Sequence, residues 1–320
     1  MTAGAVAYVD LERLDDNLRR FHRPAAAAGV QVRAHVKGHR TVEIARRQIA
    51  AGARGIAVHH AREVERYADA GVRDIVVAHS WEDPWRWELF ARLADRCELT
   101  VQVASRASAL GFGRAAARRS VPIGVLLELP AVGDGPADLP ALAREVVDQP
   151  WLRLRGITGY ARINSAAEAA ARHTVGVDHA TGLVAAAELL RSHGLPVATV
   201  CAGGTPTAGG ALVVAGVTEV CAGAYALQDA GLAAIGVCTE EQVAVSVADA
   251  AQAAALVAEC GYPWQAADDR ARWSGERCLP GHVCPVVQRV RALRPTAARP
   301  GESEEWAVMA SGDQETDVDA

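Results

Sequence analysis

The sequence predicts an α/β fold: a (β/α)8 barrel followed by a second, smaller β-rich domain. Three observations carry that expectation. Between Asp10 and Ala234, eight short strand-like runs alternate with helical or alanine-rich stretches, the repeat that eight βα units produce. The first of these strands ends in His35-Val36-Lys37-Gly38-His39, without the Gly-x-Gly-x-x-Gly turn of an open doubly wound sheet. After Gly236 the texture changes to short runs broken by Pro280, Pro285, Pro295 and Pro300. The expected division is a barrel over residues 10–234 and a β-rich domain over 235–320 that takes in an N-terminal strand at 1–9.

Taken in order, Leu11, Leu14, Leu18 and Phe21 recur at helical spacing and form one apolar face. The run Gln31 to Val36 is β-like. A helix (Val42 to Ala51), a strand (Gly55 to Val58) and a helix (Ala61 to Ala70) closed by Gly71 follow. The remaining barrel strands are read at Asp74 to Ala78, Leu99 to Val103, Ile123 to Glu128, Leu152 to Ile157, Val197 to Val200 and Thr218 to Cys221. Beyond the barrel, Val243 to Val247 reads as a strand, Ala250 to Glu259 is alanine-rich, and the tail Gly312 to Ala320 is acidic and expected to fray.

Composition narrows the function classes. Half of the 320 residues are hydrophobic and 22% are charged, the balance of a well-cored soluble protein. No apolar run approaches the ~18 residues of a membrane span, and the first ten residues lack a secretion signal. A net charge of −5 with arginine spread along the chain argues against nucleic acid as a partner. Seven scattered cysteines point to a reducing cytoplasm rather than to a disulfide framework.

Lys37 is the chemical centre of this reading. Of 33 basic side chains it is the one lysine, and all the others are arginine. An amine can lose its proton and condense with an aldehyde, which a guanidinium cannot do. In barrels the active site lies at the C-terminal ends of the strands, and phosphate is often held by the loops after strands seven and eight. Lys37 ends strand one. Gly203-Gly204-Thr205-Pro206-Thr207 follows strand seven and offers N–H and hydroxyl donors to an anion. Gly223-Ala224-Tyr225 follows strand eight. The cofactor that needs both an amine and a phosphate cradle is pyridoxal 5′-phosphate (PLP).

These stretches resemble the fold-type III PLP enzymes, in the group containing D-threonine aldolase and eukaryotic-type D-serine dehydratase. The matching residues are Arg33 to His39, Glu43 to Arg46, Gly52-Ala53, Glu63, Glu65, Ala68 to Gly71, the Gly203 to Thr207 loop, Thr218 to Val220, Gly223, Tyr225, Asp229 and Pro280 to Pro285. The resemblance implies that Lys37 carries PLP, that His35 neighbours it, and that Gly203, Gly204, Thr205 and Tyr225 hold or border the phosphate. It places Tyr160 near the cofactor as a catalytic residue. It further implies a head-to-tail homodimer, the β domain of one subunit completing the other's site.

A second chemical signal is His282-x-Cys284. Imidazole and thiolate are good zinc ligands, and alternation along a strand would put both on one face. Read alone, the pair is equally an outward histidine beside a buried cysteine. The flanking Pro280-Gly281 and Pro285 resemble the related enzymes' metal motif, which implies Zn2+ or another divalent metal at His282 and Cys284. Cys278 is either a third ligand or a core cysteine. Ordinary loop residues are the simpler reading of His59 and His60, and Trp81, Trp85 and Trp87 are either a lid or packing between rim and second domain.

Three departures from the related pattern stand out. An ungapped reading puts Asp134 in the place of an arginine facing the pyridine nitrogen, where a carboxylate would keep that nitrogen protonated, and a solvated loop aspartate is the alternative. Tyr160-Ala161-Arg162 lacks a histidine, and Arg162 is a candidate for a substrate carboxylate. The segment from Asp268 to Gly275 is short. The function expected is a PLP- and zinc-dependent lyase acting on a β-hydroxy-α-amino acid of D configuration, by dehydratase-like β-elimination. Aldolase or transaldolase cleavage is the alternative within the class, and a PLP-binding carrier or regulator the alternative outside it.

Overall fold

Short strands that are buried on both faces must be covered by the helices between them, and here they close on themselves. The computed structural model describes residues 6–129, 138–247, 261–265, 271–274, 277–296 and 303–309. Asp134, the alanine-rich stretch 250–259 and the acidic tail 312–320 lie outside the described residues.

Strand β1 (Val6–Asp10) runs straight into helix α1 (Leu11–Ala27), whose N-cap Asp10 accepts the Arg13 N–H at 3.1 Å. Strand β2 (Gln31–His35) follows, then α2 (Val42–Ala50), β3 (Ala53–Val58), α3 (Ala61–Asp69), β4 (Asp74–Val77), α4 (Pro84–Leu93), β5 (Glu98–Val103) and α5 (Arg106–Arg119). The barrel is completed by β6 (Ile123–Leu129), α6 (Leu139–Val147), β7 (Leu152–Tyr160), α7 (Ala166–Ala170), α8 (Arg172–Ser192), β8 (Thr199–Gly203), α9 (Ala208–Ala211) and β9 (Glu219–Ala222). All neighbours from β2 to β9 are parallel, and β9 pairs back onto β2 from Gln31↔Glu219 to Ala34↔Ala222, which closes the cylinder. The alternation of short strands and helices foretold this closed eight-stranded barrel, with ends shifted by a few residues.

The second sheet has the order β11-β12-β10-β1-β13-β14, with β10 (Val245–Val247), β11 (Ala271–Ser274), β12 (Arg277–Pro280), β13 (Ala292–Thr296) and β14 (Trp306–Ala307). Helix α10 (Ala230–Ala234) leads out of the barrel, and α11 (Val283–Val287) follows β12. Strand β1 lies inside this sheet, antiparallel to β10 and parallel to β13. The chain therefore builds the second domain from both of its ends, and β1 ties it to the barrel through α1.

The N-terminal mouth of the barrel is closed by charge. Arg33, 5% exposed, donates to Glu219 at 2.8 and 3.1 Å and to Asp74 at 2.7 Å, joining β2, β9 and β4. Such a buried cation is tolerable only because both carboxylates face it with good geometry. A cavity of about 270 Å³ opens at this mouth. Arg54 and Arg155 on its wall pair with Asp74 and Glu98, so the pocket reads as a charge-balanced end of the barrel. None of the described helices is long and apolar enough to cross a membrane. The described cysteines carry no disulfide.

Candidate active site

The C-terminal mouth gathers the residues with chemical capacity. Strand β2 ends in a single 3-10 turn, Val36–Gly38, which lifts Lys37 onto the rim; the Lys37 N–H donates to His35 Nδ1 at 3.3 Å. From there the Lys37 Nζ reaches to 5.4 Å from the centroid of the Tyr160 ring. Tyr160 ends β7 and is 49% exposed, a large aromatic left open at the mouth rather than buried.

The loop after β8 supplies a cradle. Gly204 has φ +125°, a conformation that favours glycine, and a Cβ there would stand 2.6 Å from Thr207 Oγ1. A Cβ at Gly203 would press on the Gly159 carbonyl and the Tyr160 ring, and one at Gly223 would collide with the His35 carbonyl. The Lys37 turn, the Gly203–Gly204 loop and the loop after β9 thus approach more closely than side chains would permit. Among the described residues, the N–H groups of Thr205 and Ala224 find no acceptor. An amine, a glycine-walled recess with free donors and an open aromatic ring fit an aldehyde cofactor carrying a phosphate.

Tyr225, in the loop after β9, turns its side chain inward. It is fully buried against α1, stacked on Phe21 with ring centroids 4.0 Å apart. Its hydroxyl accepts from Gln48 Nε2 at 3.2 Å and lies 3.0 Å from His22 Nε2. The hydroxyl is therefore bonded inside the fold.

Histidines follow β3 and β4 at the same mouth. His59 is half-buried, its ring centroid 4.9 Å from that of His35 and 6.4 Å from that of His79. Burial, then the charge of Lys37, push His59 down to about 3, and burial chiefly, then Lys37, hold His35 well below the usual imidazole range. Both are neutral rings beside the amine. Glu128, next to the last residue of β6, reaches over the mouth to accept the Ser80 N–H at 3.1 Å. Burial raises its pKa, offset in part by His79. His59, His79 and Glu128 all lie within two residues of a strand's C-terminal end, the one signal that could have found them.

The tryptophans mostly pack, and on the barrel itself rather than between domains. Trp81 stands edge-on to His79 at 4.6 Å and donates its Nε1–H to the His59 carbonyl at 3.1 Å. Trp87 is buried beside Phe112 and donates to the Trp81 carbonyl at 2.8 Å. Trp85 is exposed.

The second domain delivers His282 and Cys284 to this mouth, though not on a strand. His282 is the extended N-cap of α11, and Cys284 lies within its first turn. Alternation along a strand therefore cannot be what relates the two; a helix start does, because Gly281 and Pro280 end β12 just before them. Burial and the charge of Lys37 bring His282 down to about 4, leaving its lone pair free at neutral pH, while burial drives the Cys284 thiol up to about 11 despite Lys37. The Val283 N–H donates to Asp229 Oδ2 at 3.0 Å and the Gly281 carbonyl accepts the Gly231 N–H at 3.0 Å, so this segment meets its own barrel. The imidazole and thiol are a zinc-type donor set. No third His, Cys, Asp or Glu converges with them among the described residues. Cys278 is a fully buried core residue of β12.

With this geometry in view, likeness to known proteins is informative. The family described as alanine racemase, N-terminal domain, matches residues 9–228. The chain is 32% identical over 327 residues to the D-threo-3-hydroxyaspartate dehydratase of Delftia sp. (strain HT23), covering 98% of this chain and 85% of the relative. It is 30% identical over 228 residues to the D-threonine aldolase of an Arthrobacter species, covering 69% and 60%. The solved structure of the Delftia dehydratase matches with a TM-score of 0.81 at 29% identity, over 97% of this chain and 98% of the other. The D-threonine aldolase of Filomicrobium marinum matches in fold, with a TM-score of 0.76 at 22% identity over 95% and 94%.

Proposed function

The chain belongs to the alanine racemase N-terminal-domain family, and from that premise we propose that it is a PLP-dependent lyase of β-hydroxy-α-amino acids of D configuration. The observation that carries this reading is the meeting of Lys37, Tyr160 and the Gly203–Thr205 recess at one mouth. Its relatives that share the fold over nearly the whole chain are a dehydratase and an aldolase.

Bound at Lys37, PLP supplies an electron sink that makes the substrate's Cα acidic. The glycine loop and the backbone at 223–225 would hold the phosphate, with their N–H groups as donors. Once released, Lys37 takes the α-proton, and the half-exposed Tyr160 is placed to steer the proton that accompanies the β-hydroxyl. The His35 and His59 rings, 4.9 Å apart, are neutral and leave Lys37 as the base on this side of the mouth. Arg162, exposed just past Tyr160, is a candidate cation for a substrate carboxylate. His282 and Cys284 would hold Zn2+ or another divalent cation, which supplies Lewis acidity toward a hydroxyl group.

In the dehydratase reading the Cα–H and Cβ–O bonds break, water leaves, and the released enamine takes up water to give a 2-oxo acid and ammonium. The likeness to D-threonine aldolase supports a second reading, in which the Cα–Cβ bond breaks to give glycine and an aldehyde. Presence of both Lys37 and the His282/Cys284 pair favours catalysis over a carrier role. We read the assembly as a head-to-tail homodimer on the resemblance to fold-type III enzymes, and its compartment as the cytoplasm on the scattered cysteines.

The experiment is to purify the protein with PLP, confirm the visible cofactor band, and assay a panel of D-β-hydroxy amino acids for 2-oxo acid and for aldehyde. Formation of 2-oxo acid that stops on chelation and returns with Zn2+ is expected. No turnover of any panel member by PLP-loaded, zinc-supplied protein sinks the proposal.

A further inference from the structure

Asp229 is the last residue of the loop leaving the barrel, fully buried at the N-cap of α10. Its Oδ1 accepts the Leu232 N–H at 2.8 Å, an ordinary cap. Its Oδ2 is given wholly to the second domain: it accepts the Tyr262 O–H at 2.9 Å and the Val283 N–H at 3.0 Å. The Tyr262 ring in turn lies flat on the His282 imidazole, centroids 3.9 Å apart and planes 18° from parallel. Trp264 covers its other face at 4.1 Å and 11°. Two residues past Asp229, the Gly231 N–H donates to the Gly281 carbonyl at 3.0 Å. A Cβ at 231 would collide with that carbonyl and with the Tyr262 ring.

The barrel therefore grips the backbone on both sides of His282, at Gly281 and at Val283, and the ring stack sets the imidazole plane. None of these contacts consumes a ring nitrogen of His282. Stacking acts on the face and leaves the edge, where both nitrogens lie, open to a ligand. A donor held in this way loses little rotational freedom when it binds a cation, and outer partners of this kind commonly set affinity.

We propose that Asp229 and Tyr262 are positioning residues that orient His282 as a metal donor, Asp229 acting through the Tyr262 hydroxyl and the Val283 N–H. The inference rests on the reading that His282 and Cys284 hold a divalent metal. It adds that the site's precision is set by the joint between the domains, from a barrel residue that touches neither cation nor substrate.

The test uses the full PLP-loaded chain and measures Zn2+ affinity by chelator competition, with the visible spectrum of the Co2+-substituted protein as a second readout. Tyr262→Phe keeps the stack and removes the hydroxyl, and about a 10-fold loss of Zn2+ affinity is expected. Tyr262→Leu removes the stack, and about a 100-fold loss with an altered Co2+ spectrum is expected. His282→Ala serves as the reference that abolishes binding. Wild-type affinity and spectrum in both Tyr262 variants, with binding lost in His282→Ala, overturn the inference while leaving the metal reading intact. Undiminished binding in His282→Ala overturns the metal reading and the inference with it. Should Tyr262→Leu fail to fold, Tyr262→Phe decides alone, since it keeps the ring and removes only the hydroxyl. Thermal melting separates a general loss of stability from a change confined to the site.

Discussion

The Lys37 Nζ and the Tyr160 ring face each other across the barrel mouth, 5.4 Å from amine to ring centroid. Lys37 lies two residues past the end of the first barrel strand and Tyr160 ends the sixth, so 122 residues of chain stand between two groups that form one site. The contact leaves the amine at the rim over an aromatic face, next to a recess walled by glycines.

Replacing Lys37 should separate covalent chemistry from charge. Lys37→Arg keeps the cation but cannot condense with an aldehyde. It is expected to lose the cofactor band and at least about 1000-fold in activity. Tyr160→Phe keeps the ring and should retain cofactor while kcat falls about 100-fold. Spectra and steady-state kinetics on both variants check this; wild-type kcat in Tyr160→Phe would remove the tyrosine from proton transfer.

Gly204→Ala should act on the cofactor rather than on folding. The left-handed backbone and the 2.6 Å approach of Thr207 Oγ1 force the loop to move. PLP affinity is expected to fall about 10-fold, a cost of about 1.4 kcal/mol, measured by cofactor titration. Unchanged affinity would mean that this loop does not cradle the phosphate.

Tyr225→Phe should do the opposite. The hydroxyl ends a chain of bonds in which the Thr41 N–H donates to His39 Nδ1, His39 meets Gln48 Oε1 at 3.0 Å, and Gln48 donates to Tyr225. Deleting it strands Gln48 and His22 in the interior at a cost of about 1–3 kcal/mol. Denaturant unfolding should register that loss, with PLP affinity unchanged. A large drop in PLP affinity with no loss of stability would return the side chain to the phosphate.

His39 makes the fold sensitive to acid. Fully buried, it is pushed down to about 4 from the usual 6.5 by loss of hydration, despite its bond to Gln48. The unfolded chain takes up a proton near pH 6.5 that the folded chain refuses until about 4, so stability is full above 6.5 and is lost as the pH falls. Between pH 7 and pH 5 the loss from this residue should be about 2 kcal/mol. The depressed His35 and His59 act in the same direction. Denaturant midpoints at the two pH values test this, and an unchanged midpoint would contradict it.

Periodicity and punctuation are local properties, and they were enough to read the barrel, the rim position of Lys37 and the glycine recess. The side chains just past the strand ends were not legible in the same way. Nothing near Tyr225 in the sequence says that Phe21, His22 and Gln48, far earlier in the chain, will claim its ring and hydroxyl. Nothing near His79 or Glu128 says that they share a mouth with Lys37, because that follows from closure of the cylinder. His282-x-Cys284 looked like alternate residues of a strand, and became the start of a helix because β12 ends at Pro280.

By itself, then, the order of residues determined which segments are strands and helices, that eight of them would close, and where the single lysine would emerge. Only the folded chain decided which polar groups face the mouth and which are spent inside. That division depends on side chains distant in sequence competing for the same buried hydrogen bonds and ring faces, and the competition has an outcome only once they are packed together.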